Sequence, residues 1–110
     1  MREIEFLVDG VTDGGMILGR NGSVDIPVGT VFTKVTKVRF EGRDSSPQWT
    51  DLGIVEAVSL TLTQVELYRR QIDVVPGGHT AGIRLSGDGI GAVIEVLRNK
   101  LDSEYVHLKV

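Results

Sequence analysis

Residues 65–87 read VELYRRQIDVVPGGHTAGIRLSG, and this stretch is the part of the sequence most informative about the fold. Both of its ends are rich in residues that favour strands, and residues 79–86 alternate with apolar side chains on one face. Between the ends, Pro76-Gly77-Gly78 predicts a β-turn in which a glycine supplies a positive φ. A phosphate-binding loop is the alternative for these glycines. The turn is favoured because proline at an early position and a glycine that supplies φ > 0 are what a β-turn needs.

Short runs of Val, Ile, Leu and Thr, separated by glycines, continue the same pattern through the chain. The 14 glycines of the sequence suit an all-β domain with tight turns. Strands are expected over residues 2–8, 16–20, 30–40, 54–65 and 105–110. Asp13-Gly14 and Asn21-Gly22 are hairpin signals. Breaks in the alternation near Phe32 and at Gln64-Val65 predict β-bulges.

After Gly87, the spacing of apolar residues changes from a strand pattern to a helical one. Apolar residues recur there at the spacing of one helix face, which predicts a short helix near the C-terminus. They are Ile90, Val93, Ile94, Leu97 and Leu101. Asp88 stands at the expected N-cap of this helix. Gly89 and Gly91 weaken its first turn, so a strand over residues 92–97 remains the competing alternative.

The stretch 65–87 resembles the second domain of elongation factor Tu and related translational GTPases. Their pattern reads V-E-M-F-R-K, two residues, L-D, then A-G-D-N-V-G and L-L-R-G. Upstream, Gly19-Arg20 and Gly29 keep the family's spacing, while the match breaks at Glu41–Gly53 and fades after Gly87. The resemblance implies a small closed antiparallel β-barrel of about six strands. We expect a mainly all-β single domain over residues 1–110, with the tail helix as an addition.

The same resemblance implies a candidate binding site. Glu66 occupies the motif position that, in elongation factor Tu, lies in the pocket for the 3′ end of aminoacyl-tRNA. By this analogy Glu66 contacts the terminal adenosine, and Arg69 and Arg70 contact phosphate or ribose. Arg84, on the polar face of its strand, is a further candidate.

A structural role is the favoured alternative for these residues, because the tRNA site of the family also needs a GTPase domain. In that case the motif only preserves a turn of the barrel. Tyr68 and Ile72 would then pack against the core, and Glu66 would pair with Arg69 or Arg84.

Glu41–Gly53 is polar and contains Pro47, so we predict an exposed loop. It holds Trp49, the only tryptophan of the chain. Two alternatives stay open for Trp49. It folds back as a plug over one end of the barrel, which is favoured, or it is an exposed anchor for a partner, since tryptophan is enriched at binding hot spots.

Composition limits the function. The chain has 12 Lys and Arg against 15 Asp and Glu, a net charge of −3, so it has no strong electrostatic grip on nucleic acid. With no cysteine and no P-loop, we expect no metal, no cofactor and no nucleotide. The absence of a long apolar run and of an export signal predicts a cytoplasmic protein that does not enter membranes.

We therefore expect a stand-alone, non-catalytic binding module and not an enzyme. Its partner would be tRNA, the ribosome or a translation protein. The alternative is a protein-interaction module outside translation, such as a toxin-neutralising or regulatory partner. The sequence does not set the oligomeric state.

Overall fold

The computed structural model of the protein describes residues 3–43 and 46–110, which form strands and one short helix. The strands are β1 Glu5–Val11, β2 Ile17–Asn21, β3 Ile26–Pro27, β4 Val31–Arg43, β5 Ser46–Leu67, β6 Arg70–Ile72, β7 Val74–Val75, β8 Thr80–Asp88 and β9 Glu104–Lys109. The helix, α1, is Ile90–Asn99. The expected mainly-β class with a short helix near the C-terminus is confirmed.

The strand pairings form a ring. β4 pairs with β9, and the sheet continues through β1, β2 and β8 to β5, which pairs again with β4. All of these pairs are antiparallel. β6 extends the sheet beside β5, while β3 and β7 form a separate two-stranded sheet. Six strands therefore take part in the ring.

The hydrophobic core consists of the side chains that these strands and α1 bury. The fully buried ones are Phe6, Ile17, Ile26, Phe32, Val35, Leu60, Leu62, Val65, Val75, Ile83, Val93, Val106 and Leu108. Strand β5 shows the alternation that sequence predicts, since Leu60 and Leu62 are buried whereas Ser59 and Thr63 are exposed. The β4–β5 register shifts after Phe32, and the β5–β8 register shifts before Gln64, which confirms both predicted bulges.

The predicted loop over Glu41–Gly53 was wrong. Residues 41–43 belong to β4 and residues 46–53 to β5, and they pair as an exposed two-stranded ribbon with Phe40 opposite Trp49 and Gly42 opposite Pro47; residues 44 and 45 lie outside the described residues. The Phe40 and Trp49 rings lie 4.6 Å apart, an aromatic cross-strand pair that supports the pairing. A ribbon exposes much of both faces, so its polar composition resembles that of a loop.

The hairpin predicted at Asn21-Gly22 was also wrong, because Asn21 ends β2 as a buried residue. Its Nδ2 donates to Val24 O at 2.8 Å and to Val75 O at 2.9 Å. Its Oδ1 accepts from the backbone N–H and from the hydroxyl of Ser23, at 2.9 and 2.7 Å. The side chain therefore holds the chain after β2 against β7 and does not reverse it.

Helix α1 confirms the helical alternative for the tail. Its N-cap is Gly89, with φ 116°, and Asp88 instead belongs to β8, where it pairs with Ser59. A Cβ on Gly89 would lie 2.5 Å from Val58 Cγ1, so both the backbone and the packing require glycine. Leu101 lies beyond the helix and is 61% exposed, contrary to its predicted place on the buried face.

No helix in residues 3–43 and 46–110 combines the length and the apolar character that crossing a bilayer requires.

Candidate ligand-binding pocket

A two-residue turn, Tyr68-Arg69, joins β5 to β6. Leu67 pairs with Arg70 across it, and the central residues have φ values of 52° and 64°. Two positive φ values in a two-residue hairpin are the mark of a type I′ turn, whose usual sequence is Asn-Gly. Of the described non-glycine residues, only these two have positive φ. The left-handed region costs about 1–2 kcal/mol per residue, so the turn stores backbone strain, a feature that clusters at ligand sites.

The turn presents its side chains to solvent. Tyr68 is 83% exposed, so the alternative in which it packs against the core was wrong. Ile72, the other residue of that alternative, does pack partly buried against the core. A strained turn that holds a tyrosine in solvent gains no folding energy from that ring, which favours a role outside folding for Tyr68.

An open cavity of about 380 Å³ lies beside this turn. β2, β5 and β8, which are neighbours in the ring, supply its walls. Its lining is mostly apolar, with a few polar and charged groups from the strand ends and the turn. The lining residues are Met16, Leu18, Glu66, Leu67, Tyr68, Arg69, Thr80, Ala81 and Gly82. We call this cavity the turn pocket.

Gly82 shapes the wall of the turn pocket. A Cβ at this position would collide with the sulfur of Met16 and would lie 3.5 Å from Leu18 Cδ2. The missing side chain therefore lets Met16 lie against β8. Larger residues at position 82 would displace Met16 and change the shape of the cavity.

Glu66 is half-buried in the wall of the turn pocket, and in the sheet it lies opposite Gln71 on β6 and Gly82 on β8. Within the described residues, no ion pair includes Glu66, so the expected pairing with Arg69 or Arg84 is not seen. Its carboxylate lies in a mostly apolar lining, where it can accept hydrogen bonds from a ligand.

The structure separates the five residues that sequence proposed as binding residues. Glu66 and Arg69 line the turn pocket together, whereas Arg70 lies next to it in β6, exposed, and is not a lining residue. The Arg84 Nη1 donates to Gly14 O at 2.9 Å and so holds the β1–β2 turn. Trp49 lies on the ribbon, outside the pocket lining.

Sequence reasoning missed seven of the residues that line the turn pocket: Met16, Leu18, Leu67, Tyr68, Thr80, Ala81 and Gly82. Met16 and Leu18 reach the site because β2 pairs with β8, a contact that no local pattern reveals. Tyr68 was assigned to packing, although the two-residue spacing between Leu67 and Arg70 is a signal for a tight hairpin.

The plug alternative for Trp49 was wrong. Its side chain is 62% exposed and leans on two other aromatic rings, Phe40 at 4.6 Å and Tyr105 at 5.7 Å between centroids. It therefore covers neighbouring rings of the sheet and leaves most of its own surface open.

In the part of the chain that the structure describes, no group of three or more His, Cys, Asp or Glu residues is arranged to hold a metal ion. The comparisons add no relative: the sequence matches no protein-family model, and neither the curated proteins nor the solved structures contain a match.

Proposed function

We propose that the chain is a closed β-barrel of the kind found as the second domain of translational GTPases. We further propose that it works as a non-catalytic module whose turn pocket binds the 3′ end of tRNA or of a related RNA. One observation carries this proposal. The motif that resembles the family's 3′-end site, around Glu66 and Arg69, coincides with a real cavity edged by a strained, solvent-facing turn.

The chemistry of the turn pocket suits an unstacked nucleotide. Its volume of about 380 Å³ falls in the range of small-ligand sites, roughly 300–1,000 Å³. The apolar lining can receive the face of a base, and the exposed Tyr68 ring offers a stacking partner. Glu66 can accept from a ribose hydroxyl or a base amino group, while Arg69 can pair with a phosphate.

Charge sets how such an RNA would be held. With a net charge of −3, the protein does not attract RNA from a distance, so affinity depends on contacts at the pocket. We therefore expect a shallow salt dependence that reflects only one or two arginine–phosphate contacts.

The test is salt-titrated binding of total tRNA to the full chain. Arg69→Ala with Arg70→Ala should flatten the log–log slope by roughly 0.7 per lost single-strand contact. Glu66→Gln should change the preference for the 3′-terminal residue and leave the slope unchanged. Arg98→Ala with Lys100→Ala, two cations at the end of α1, is the matched charge control. Absence of binding near 50 mM salt (about where counterion release favours binding most) would exclude the RNA ligand.

A second candidate function is a protein-interaction module outside translation, such as a toxin-neutralising or regulatory partner. The exposure of Trp49 favours it, since 62% of the largest side chain in the chain faces solvent. Burying that ring against a partner is the usual way in which an interface gains a hot spot.

A further inference from the structure

The ribbon that β4 and β5 form has one apolar, aromatic face, which we call the ribbon face. Val38 and Phe40 on β4 lie opposite Asp51 and Trp49 on β5, and Val38 also lies opposite Tyr105 on β9. The register is regular between these pairs, so their side chains point to the same side. Trp49 is 62% exposed and Tyr105 is 36% exposed, so the aromatic centre of this face is open.

The opposite side of the ribbon is ionic and already paired. Lys37 Nζ lies 3.0 Å from Glu104 Oε1, and Arg39 Nε lies 3.0 Å from Glu41 Oε1. These residues alternate along the strands with those of the ribbon face. A ribbon that is apolar on one side and polar on the other is the pattern of a sheet that buries one face.

The edge of the ribbon is a poor template for another strand. β5 starts beside Pro47, which has no N–H, and the β4–β5 register shifts beside Gly53, whose φ is 82°. The Gly53 N–H donates to Asp51 Oδ1 at 2.8 Å. Proline and a bulge are the devices that block strand addition, so a partner would meet the side chains of the ribbon face and not its backbone.

Charge identifies the partner's chemistry. Among the described residues, Asp51 forms no ion pair, whereas Lys34 on β4 and Lys109 on β9 are paired with Glu3 and Glu5, at 3.8 and 3.6 Å. Asp51 follows Trp49 by two residues on β5, so the two side chains lie on the same face of the strand, and Asp51 is exposed there while its Oδ1 accepts from the Gly53 N–H. A cation placed there meets both a π-face and a carboxylate, while a second copy of the chain would bring two Asp51 carboxylates together.

We propose that the ribbon face binds a basic segment of a partner protein, with an arginine or lysine side chain over Trp49 and paired with Asp51. The inference rests on the second candidate function and does not depend on what the turn pocket binds. The partner's apolar side chains would cover Phe40, Tyr105 and Ile54, of which Ile54 is 63% exposed.

The test selects peptides from a random 12-residue library displayed on phage, using the immobilised full chain. Enriched peptides should carry arginine or lysine next to apolar residues. Their binding is then titrated by the fluorescence of Trp49, the only tryptophan. Competition with a labelled peptide extends the measurement to Trp49→Ala, where a loss of about 30-fold or more in affinity is expected, the mark of a hot spot.

Asp51→Asn should weaken the same peptides about threefold to fivefold, as for an exposed charge pair. Asp73→Asn, at an exposed carboxylate between β6 and β7, is the matched control and should change nothing. Peptides that are not basic, or that are insensitive to Asp51→Asn, would overturn the proposed chemistry. Peptides that bind Trp49→Ala as tightly as the parent protein would show that the ribbon face is not the binding surface, while a protein-interaction function would still stand. A dimer in sedimentation that Trp49→Ala dissociates would assign the ribbon face to a second copy and also overturn the proposal.

Discussion

Replacing Tyr68-Arg69 by Asn-Gly should stabilise the protein and remove its proposed ligand contacts. Both residues have positive φ, 52° and 64°, which costs about 1–2 kcal/mol each for a residue with a bulky side chain. Asn-Gly adopts this turn with little strain, but glycine loses about 0.5–1 kcal/mol more chain entropy on folding. The net gain in the free energy of unfolding is therefore about 1–3 kcal/mol.

Few contacts oppose this gain, because Tyr68 is 83% exposed and Arg69 is also exposed. For a domain of 110 residues, each kcal/mol shifts the melting temperature by about 4 °C, so an increase of roughly 4–12 °C is expected. Urea denaturation followed by Trp49 fluorescence and thermal melting by circular dichroism measure the two quantities independently.

The control is Tyr68→Ala with Arg69→Ala, which removes the side chains and keeps the backbone strain. This variant should have nearly the stability of the parent protein, and it should lose tRNA binding to the same extent as the Asn-Gly variant. Stability of the Asn-Gly variant at or below that of the double-alanine variant would refute the argument from strain. Unchanged tRNA binding in both variants would remove the turn from the site.

Three further outcomes follow from the packing and the charges. Asn21→Ala leaves several buried backbone groups without partners and should cost about 3 kcal/mol or more in urea denaturation; a loss below about 1 kcal/mol would contradict the role of this side chain. On α1, Gly91→Ala should stabilise the protein by up to about 1 kcal/mol, since open space surrounds Gly91. At the N-cap, Gly89→Ala should destabilise the protein, because Gly89 has a φ of 116° and a Cβ there would collide with Val58. Equal effects of the two substitutions on the melting temperature would disprove this distinction. Burial lowers the pKa of His107 below its ordinary 6.5, so the unfolded chain binds the proton more readily and stability should fall as pH falls below about 6.5; His107→Gln should flatten this part of the stability–pH curve.

Sequence reasoning succeeded where structure follows from local periodicity. The 3.6-residue spacing from Ile90 to Leu97 predicted α1, and the two-residue alternation of β5 predicted which side chains it buries. Both bulges were visible as breaks in that alternation. These features depend on neighbours along the chain, which is the information that a single sequence carries.

Sequence reasoning failed where the conformation of a residue depends on contacts with a segment far away in the sequence. Asn21-Gly22 reads as a turn, but Asn21 is buried because its amide bonds to Val75, 54 residues away. Asp88 reads as a helix cap, but the pairing with Ser59 keeps it in a strand. Similarly, Glu66 and Arg69 of the turn pocket were found through a motif, whereas Leu18 enters the site only through the β2–β8 pairing.

The place of β9 has a consequence for synthesis of the protein. Residues 104–109 form β9, which pairs with β4 on one side and with β1 on the other. During synthesis, β4 and β1 therefore each have one unpaired edge until residues 104–109 leave the ribosome. At about 5–20 residues per second, the delay after β1 is roughly 5–20 s, far longer than a hairpin takes to form. A nascent chain stalled before residue 104 would expose two strand edges to other chains, and we expect it to depend on chaperones.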